Sequence, residues 1–176
     1  MSFSLANTLA ALITAILTAV ICFGTRRYTT LWRRLPRERV TGILIGSVCL
    51  IWSATYALPM LEGSLERYHI VIKILVPVTI VLSYLYLNFL FTRALGGFIL
   101  LGSTYLLHAA FVGQAPIRIV YSLVCYSAAA GGVVLVAAPW YFRDLLEKVT
   151  TATRWRHAMT GILTVLALYF ALYALI

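Results

Sequence analysis

FSLANTLAALITAILTAVICFG, residues 3–24, decides the class of this protein. The stretch contains no charged residue, and as a helix it is ~33 Å long at about 1.5 Å per residue. The hydrocarbon core of a bilayer is about 30 Å thick, so roughly 20 apolar residues cross it. The stretch therefore predicts a transmembrane helix. The arginines follow the apolar run instead of preceding it, which favours a retained span over a cleaved signal peptide.

The composition extends this prediction to the whole chain. Hydrophobic residues make up 62% of the 176 residues and charged residues 11%. Soluble domains have about 45–50% apolar and about 25% charged residues. The apolar surplus is larger than a buried core needs, so it indicates surfaces that face lipid. We expect an all-α polytopic membrane protein in which residues 1–176 form a single transmembrane domain.

Cutting the chain at its charges predicts six transmembrane helices joined by short loops. The weakest boundary is Thr92-Arg93-Ala94, where one arginine has to mark a turn, because residues 68–112 are otherwise a helix of ~67 Å. Gly96 and Gly97 favour a hairpin just after this arginine. The predicted spans are about 3–24, 40–59, 68–91, 94–112, 117–139 and 157–176.

The basic residues predict the orientation. Eleven of the 14 lie in the first, third and fifth connections. The positive-inside rule then places these loops in the cytoplasm and both termini outside, in the inner (plasma) membrane. Since orientation already requires these charges, we expect no nucleic acid as a partner. We expect the bilayer itself as a partner, with anionic headgroups contacted by Arg26, Arg27, Arg33, Arg34, Arg37 and Arg39.

A short amphipathic helix is predicted over residues 141–153, between the fifth and sixth spans. Phe142, Leu145, Leu146 and Val149 follow the i, i+3, i+4, i+7 spacing of one helix face. The opposite face carries oppositely charged residues spaced for i, i+4 pairs, namely Arg143 with Glu147 and Asp144 with Lys148. Such a helix lies in the cytoplasmic membrane interface or docks a partner.

The third span carries a polar stripe. At about 100° per residue, Glu66, His69, Lys73, Pro77, Tyr84 and Asn88 share an arc of about 100°. Ionisable groups inside a membrane are candidate functional residues. Lys73 has three interpretations: its ammonium snorkels to the outer surface, it pairs with a group such as Glu66, or it acts in transport or catalysis. The candidate binding residues are Lys73, His69, His108, Tyr84 and Asn88.

Other polar and aromatic residues have predicted positions as well. Asn7, Thr14, Thr18 and Thr25 form a narrow stripe along the first span that should face the bundle or a partner. Rings that prefer the membrane interface are expected in two belts. The cytoplasmic belt contains Trp32, Trp140 and Trp155, and the outer belt contains Tyr56, Tyr68, Tyr105, Tyr121 and Tyr173.

Small residues predict close helix packing in two spans. Gly42 and Gly46 form a GxxxG pair in the second span, and Gly131 and Gly132 lie in a run of small residues in the fifth. Small side chains let helix backbones approach each other. The pattern fits packing within the chain as well as assembly with a membrane protein partner or a second copy.

The sequence shows no catalytic constellation. The three cysteines have no CxxC spacing, and none of the five acidic residues lies at mid-membrane depth. His69 and His108 both lie near the outer surface, which leaves haem or metal ligation as a minor alternative. We expect no catalytic residue, no metal site and no cofactor.

Three functions remain open. The first is a non-enzymatic accessory or scaffold subunit of a membrane assembly, which fits the small mass and the packing motifs. The second is a small oligomeric transporter or channel for an anion, supported by the polar stripe and by Lys73, Arg67 and Arg118 near the outer surface. The third is an enzyme that acts on lipid at the outer leaflet through His69 and His108.

Overall fold

The computed structural model describes residues 3–24, 39–60, 69–86, 89–113 and 117–175. Almost all of these residues are helical, and none of them forms a strand. The first helix continues into a π-helical turn at Val20–Gly24. The helices are α1 (Phe3–Ala19), α2 (Arg39–Met60), α3 (His69–Tyr86), α4 (Leu90–Val112), α5 (Arg118–Ala137), α6 (Pro139–Thr151) and α7 (Thr153–Leu175).

Five of the described helices are long and apolar enough to cross a bilayer, which confirms an all-α, multi-pass membrane protein. They are α1 with its π-helical turn, α2, α4, α5 and α7. The third predicted span is shorter, with its apolar part at Ile70–Tyr86. At about 1.5 Å per residue the 18 residues of α3 measure ~27 Å, slightly less than the hydrocarbon thickness.

The break between α3 and α4 lies earlier than the sequence predicted. The helix ends at Tyr86, Phe89 adopts a left-handed backbone conformation with φ 59°, and α4 begins at Leu90. Arg93 therefore lies in the first turn of α4 instead of in a loop. An arginine within one turn of a helix end can extend its guanidinium toward water, so its charge does not require a loop at that position.

Pro139 separates α5 from α6. Helix α5 ends at Ala137, and Pro139 occupies the first turn of α6, where its missing N–H removes no intrahelical hydrogen bond. The short helix is thus Pro139–Thr151 against the predicted 141–153, and the last span begins at Thr153 instead of 157. Leu146 and Val149 are buried, as the spacing of the apolar residues predicted, and the ring of Phe142 packs on that of Phe91 at 6.3 Å.

Helix α4 is the centre of the bundle, with α2 and α5 as its closest neighbours and α1 and α6 also in contact. Helix α7 packs on α1, and α3 packs on α2. The bundle has two ends, the terminal end and the basic end. The terminal end holds Phe3, Gly113 and Leu175, and the basic end holds Gly24, Leu90 and Thr153.

Candidate functional site

The terminal end contains a polar and aromatic core, the Tyr121 cluster, which joins α1, α4, α5 and α7. Tyr121 and Asn7 are both 0% exposed. The Tyr121 hydroxyl donates a hydrogen bond of 2.8 Å to Oδ1 of Asn7, and the Asn7 amide donates to the carbonyl of Phe3 at 3.0 Å. The cluster is formed by Asn7, Ala110, Tyr121, Cys125, Phe170 and Tyr173.

Aromatic contacts surround the Tyr121 ring. Its centroid lies 5.0 Å from that of Tyr173, 5.7 Å from Phe3, 6.2 Å from Tyr169 and 6.4 Å from Phe170. Tilted and edge-to-face pairs at these distances are favourable beyond the area they bury. The rings fill the space between the helices, so the Tyr121 cluster is a packed junction.

The Tyr121 cluster corrects part of the predicted aromatic belt. Tyr121 and Tyr173 lie at the depth that the sequence indicated, but they are buried and face the helices of the bundle. Depth along a helix follows from sequence position, whereas the direction of a side chain depends on where neighbouring helices pack. Trp140 and Trp155 are about half exposed at the basic end, as expected for interfacial rings.

The predicted stripe of the first span faces inward at Asn7. Thr14 and Thr18 are half-buried, and their hydroxyls donate to the carbonyls of Ala10 and Thr14 at 2.8 and 2.7 Å. These hydroxyls are therefore satisfied by their own helix. Asn7 is the described member of the stripe that joins α1 to another helix, and Thr25 lies outside the described residues.

The stripe of the third span has the opposite orientation. Lys73, Pro77 and Tyr84, named here the α3 flank, are all exposed, with Tyr84 at 43%. The half-buried residues of α3 are Ile72, Val76, Thr79, Ile80 and Ser83. At about 100° per residue, the α3 flank lies roughly a quarter-turn around the helix from this half-buried face. The flank is therefore exposed on the side of α3, next to the half-buried face.

The remaining candidate binding residues are dispersed. His108 is exposed on α4, and Arg118 is exposed at the start of α5. His69 is the first residue of α3, but its side chain lies outside the described residues, as do Asn88 and Glu66. The structure therefore brings none of the described candidates into contact with another.

The glycines of the predicted packing motifs differ in how closely a neighbouring helix approaches them. A Cβ on Gly42 is only 2.6 Å from the backbone nitrogen of Phe91, whereas one on Gly46 is 3.7 Å from Ala94. Gly132 meets Gly96 across the α4–α5 contact, since a Cβ on Gly132 comes within 2.8 Å of the Gly96 carbonyl. Gly131 is exposed and has nothing within 4 Å. Three of the four glycines thus pack within the chain, and Gly131 faces outward.

The charged face of α6 lies at the basic end. The guanidinium of Arg143 contacts Asp144 at 3.0 Å, in place of the predicted pairs. The ammonium of Lys148 lies 5.5 Å from the ring centroid of Trp155. The side chains of Arg143, Glu147 and Lys148 are exposed, so α6 has one charged, exposed face and one buried apolar face. The side chains of the predicted headgroup-binding arginines, residues 26–39, lie outside the described residues.

Three polar atoms at the basic end are buried without a hydrogen-bond partner: the hydroxyls of Thr41 and Thr92, and Nε of Arg93. Sequence reasoning missed these groups because it assigned Thr92 and Arg93 to a turn. The spacing of the threonines does not predict that their hydroxyls are buried. The burial arises where the first turns of α2 and α4 meet.

An open groove of about 800 Å³ runs between α1 and α7 on the outside of the bundle. Its floor is made mainly of small side chains, including Ala11, Ala15, Ala167 and Ala171. The groove is apolar, so it suits an acyl chain or an apolar helix better than a charged solute.

Among the described residues, no group of three or more histidine, cysteine or acidic side chains is placed to hold a metal ion. No protein-family model matches the chain, and no curated protein or solved structure is significantly similar to it.

Proposed function

We propose that this protein is a non-enzymatic accessory or scaffold subunit that binds another protein within the membrane. The proposal rests on the outward orientation of the α3 flank. A helix surrounded by lipid is expected to direct its polar side chains toward the bundle interior or toward a partner. In α3 the flank is exposed beside the packed face and is not covered by the described part of the bundle, so a partner is the protein surface that can cover it.

The packed centre of the bundle supports this role. Backbones approach closely at Gly42 and at the Gly96–Gly132 contact, and Asn7 is paired with Tyr121. The buried pair of Asn7 and Tyr121 thus serves packing at the terminal end, which leaves the exposed surfaces of the bundle as candidates for recognition.

We also propose an orientation in the plasma membrane. The terminal end faces outward, and the basic end faces the cytoplasm, where Arg93, Arg143, Lys148, Arg154 and Arg156 lie near anionic headgroups. The protein has two lysines, Lys73 near the terminal end and Lys148 near the basic end. A membrane-impermeant amine reagent applied to right-side-out cells should label Lys73 and spare Lys148, and the opposite pattern means the reverse orientation.

The accessory role is tested by mild-detergent purification of the tagged full-length chain from its own host. We expect one other membrane protein to co-purify in a constant ratio and to remain after a second affinity step. The matched control is a tagged membrane protein of similar size and abundance. Recovery of the chain alone, after cross-linking in intact cells as well as without it, contradicts an accessory role.

A second candidate is an oligomeric transporter for an anion, with the α3 flank lining a passage between copies. The observation in its favour is that Lys73, His108 and Arg118 are all exposed toward the terminal end. Liposomes containing the purified chain should then show anion flux that Lys73→Met abolishes. Flux that is unchanged in Lys73→Met contradicts this role for the lysine, and the absence of flux in the unmodified chain contradicts transport.

A further inference from the structure

We infer that the α3 flank is the docking surface for a transmembrane helix of a different protein, and that this helix carries a carboxylate near Lys73. The inference rests on the proposed accessory role and specifies the partner. Three observations carry it: α3 has one main packing neighbour, polar groups lie on its flank, and the described acidic residues of this chain lie at the other end of the bundle.

Helix α3 is the least enclosed of the described apolar helices. From Ile70 to Tyr86 no side chain is buried, and α2 is its main packing neighbour. The exposed side of α3 is largely apolar, with Ile70, Ile74 and Val81 beside the flank. An apolar surface of this kind can face lipid and does not by itself indicate a protein partner. The evidence for a partner is the polar groups of the flank.

Two complementary polar groups lie together on the flank. Lys73 is four residues from the start of α3, which places its backbone ~6 Å along the helix. Pro77 is four residues further on and has no N–H, so it cannot donate to the carbonyl of Lys73. One residue of the flank, Lys73, thus supplies both a cationic donor on its side chain and a backbone acceptor that Pro77 leaves without its helical partner. A facing helix with a carboxylate beside a hydroxyl or amide satisfies both groups, whereas a lipid phosphate matches only the ammonium.

A second copy of this chain is a poor match for the flank. A two-fold axis along the membrane normal brings Lys73 opposite Lys73, and like charges in contact oppose association. None of the five acidic residues of the chain lies within a described transmembrane helix. Asp144 and Glu147 lie on α6, at the other end of the bundle. Within the described residues no carboxylate lies beside Lys73, whereas Glu62 and Glu66 lie outside the described part of the chain. The inference therefore assigns the complementary carboxylate to another protein.

Site-specific photo-cross-linking in the native membrane tests the inference. Benzoylphenylalanine replaces Ile74 or Val81 beside the flank, and control positions are Val120 on α5 and Leu168 on α7, both exposed. We expect the flank positions to cross-link to one transmembrane segment that contains Asp or Glu, identified by mass spectrometry. Lys73→Met should lower the yield about tenfold, and Lys73→Arg should retain it.

Charge reversal completes the test. Lys73→Glu should abolish the cross-link, and changing the identified partner acid to lysine should restore it. Adducts with a second copy, adducts with lipid alone, or a yield unchanged in Lys73→Met overturn the inference. A loss reproduced by Glu66→Gln shows instead that Lys73 pairs within its own chain.

The control positions separate this inference from the accessory role on which it rests. Cross-links to another protein from Val120 or Leu168, with none from the α3 flank, leave the accessory role standing and overturn the inference. If no position cross-links to another protein, both the inference and the accessory role fail.

Discussion

The α4–α5 hairpin and α3 differ in packing although both are apolar helical segments of one chain. In the hairpin, Gly96 and Gly132 let two backbones come into contact, and α2 closes on the other side through Gly42. Helix α3 has no glycine and carries mostly branched and aromatic side chains toward the outside. Since lipid tails are as apolar as leucine, hydrophobicity does not select which helices associate. Small residues and complementary polar groups make that selection.

The largest effect that tests this comparison is expected at the centre of the hairpin. Gly96→Ala places a Cβ 2.6 Å from the Gly132 carbonyl and 2.9 Å from Val136 Cγ2. We expect the free energy of unfolding to fall by about 2–3 kcal/mol, because overpacking forces the backbones apart. Unfolding in mixed detergent micelles measures the change. Gly97→Ala is the control, since nothing lies within 4 Å of its Cβ; equal destabilisation by both variants contradicts the close contact.

A smaller loss is expected where α2 meets α4. Gly42→Ala puts a Cβ 2.6 Å from the Phe91 nitrogen, so we expect about 1–2 kcal/mol of destabilisation in the same unfolding assay. Gly46→Ala, with its nearest neighbour at an ordinary 3.7 Å, should leave stability within about 0.5 kcal/mol. If Gly46→Ala proves the more damaging, the assignment of Gly42 as the contact point is wrong.

The next effect concerns the Tyr121 cluster. Tyr121→Phe keeps the ring and removes the hydrogen bond to Asn7, and we expect a loss of about 1 kcal/mol, typical of a hydrogen bond between membrane helices. Tyr126→Phe on the exposed face of α5 provides the control. A double-mutant cycle with Asn7→Ala measures the coupling, and additive losses mean that the two side chains do not interact.

The smallest effect on folding is expected on α3. Lys73 is exposed, and no acidic side chain among the described residues pairs with it, so Lys73→Met should change the stability of the isolated chain by less than about 0.5 kcal/mol. The same variant should weaken association with the partner. A large loss of stability in the purified chain instead assigns Lys73 a structural role within the bundle.

Sequence reasoning predicted the spans well where charges or proline bound them, and less well at the α3–α4 turn. Residues 68–112 contain two charged residues, Lys73 near the start and Arg93 in the middle, and the predicted turn was placed at Arg93. The structure turns around Phe89 instead, because an arginine in the first turn of a helix remains close to the membrane surface. The bounds of α6 were predicted to within two residues at each end from the spacing of its apolar residues, whereas Pro139, assigned to the fifth span, lies in the first turn of α6.

For the candidate site, the sequence predicted which residues of α3 share a face. Helical periodicity placed Lys73, Pro77 and Tyr84 on one face, and the structure shows that all three are exposed. Whether that face is exposed depends on where α2 packs. The periodicity of α3 does not predict the position of α2. The pairing of Asn7 with Tyr121 was missed for a similar reason, because the two residues are 114 positions apart and are joined by the packing of α1 against the central helices.

Length, hydropathy and the positions of charges were sufficient to show that this chain is an all-α membrane protein, because the bilayer imposes a helix of set length on any apolar segment that crosses it. Which helices touch, which of Gly131 and Gly132 lies in an interface, and whether a polar stripe faces inward or outward followed from the packed fold. The physical reason is that each long helix the structure describes is apolar on most sides. Which side of a helix faces a neighbour is decided by contacts between residues that lie far apart in the sequence.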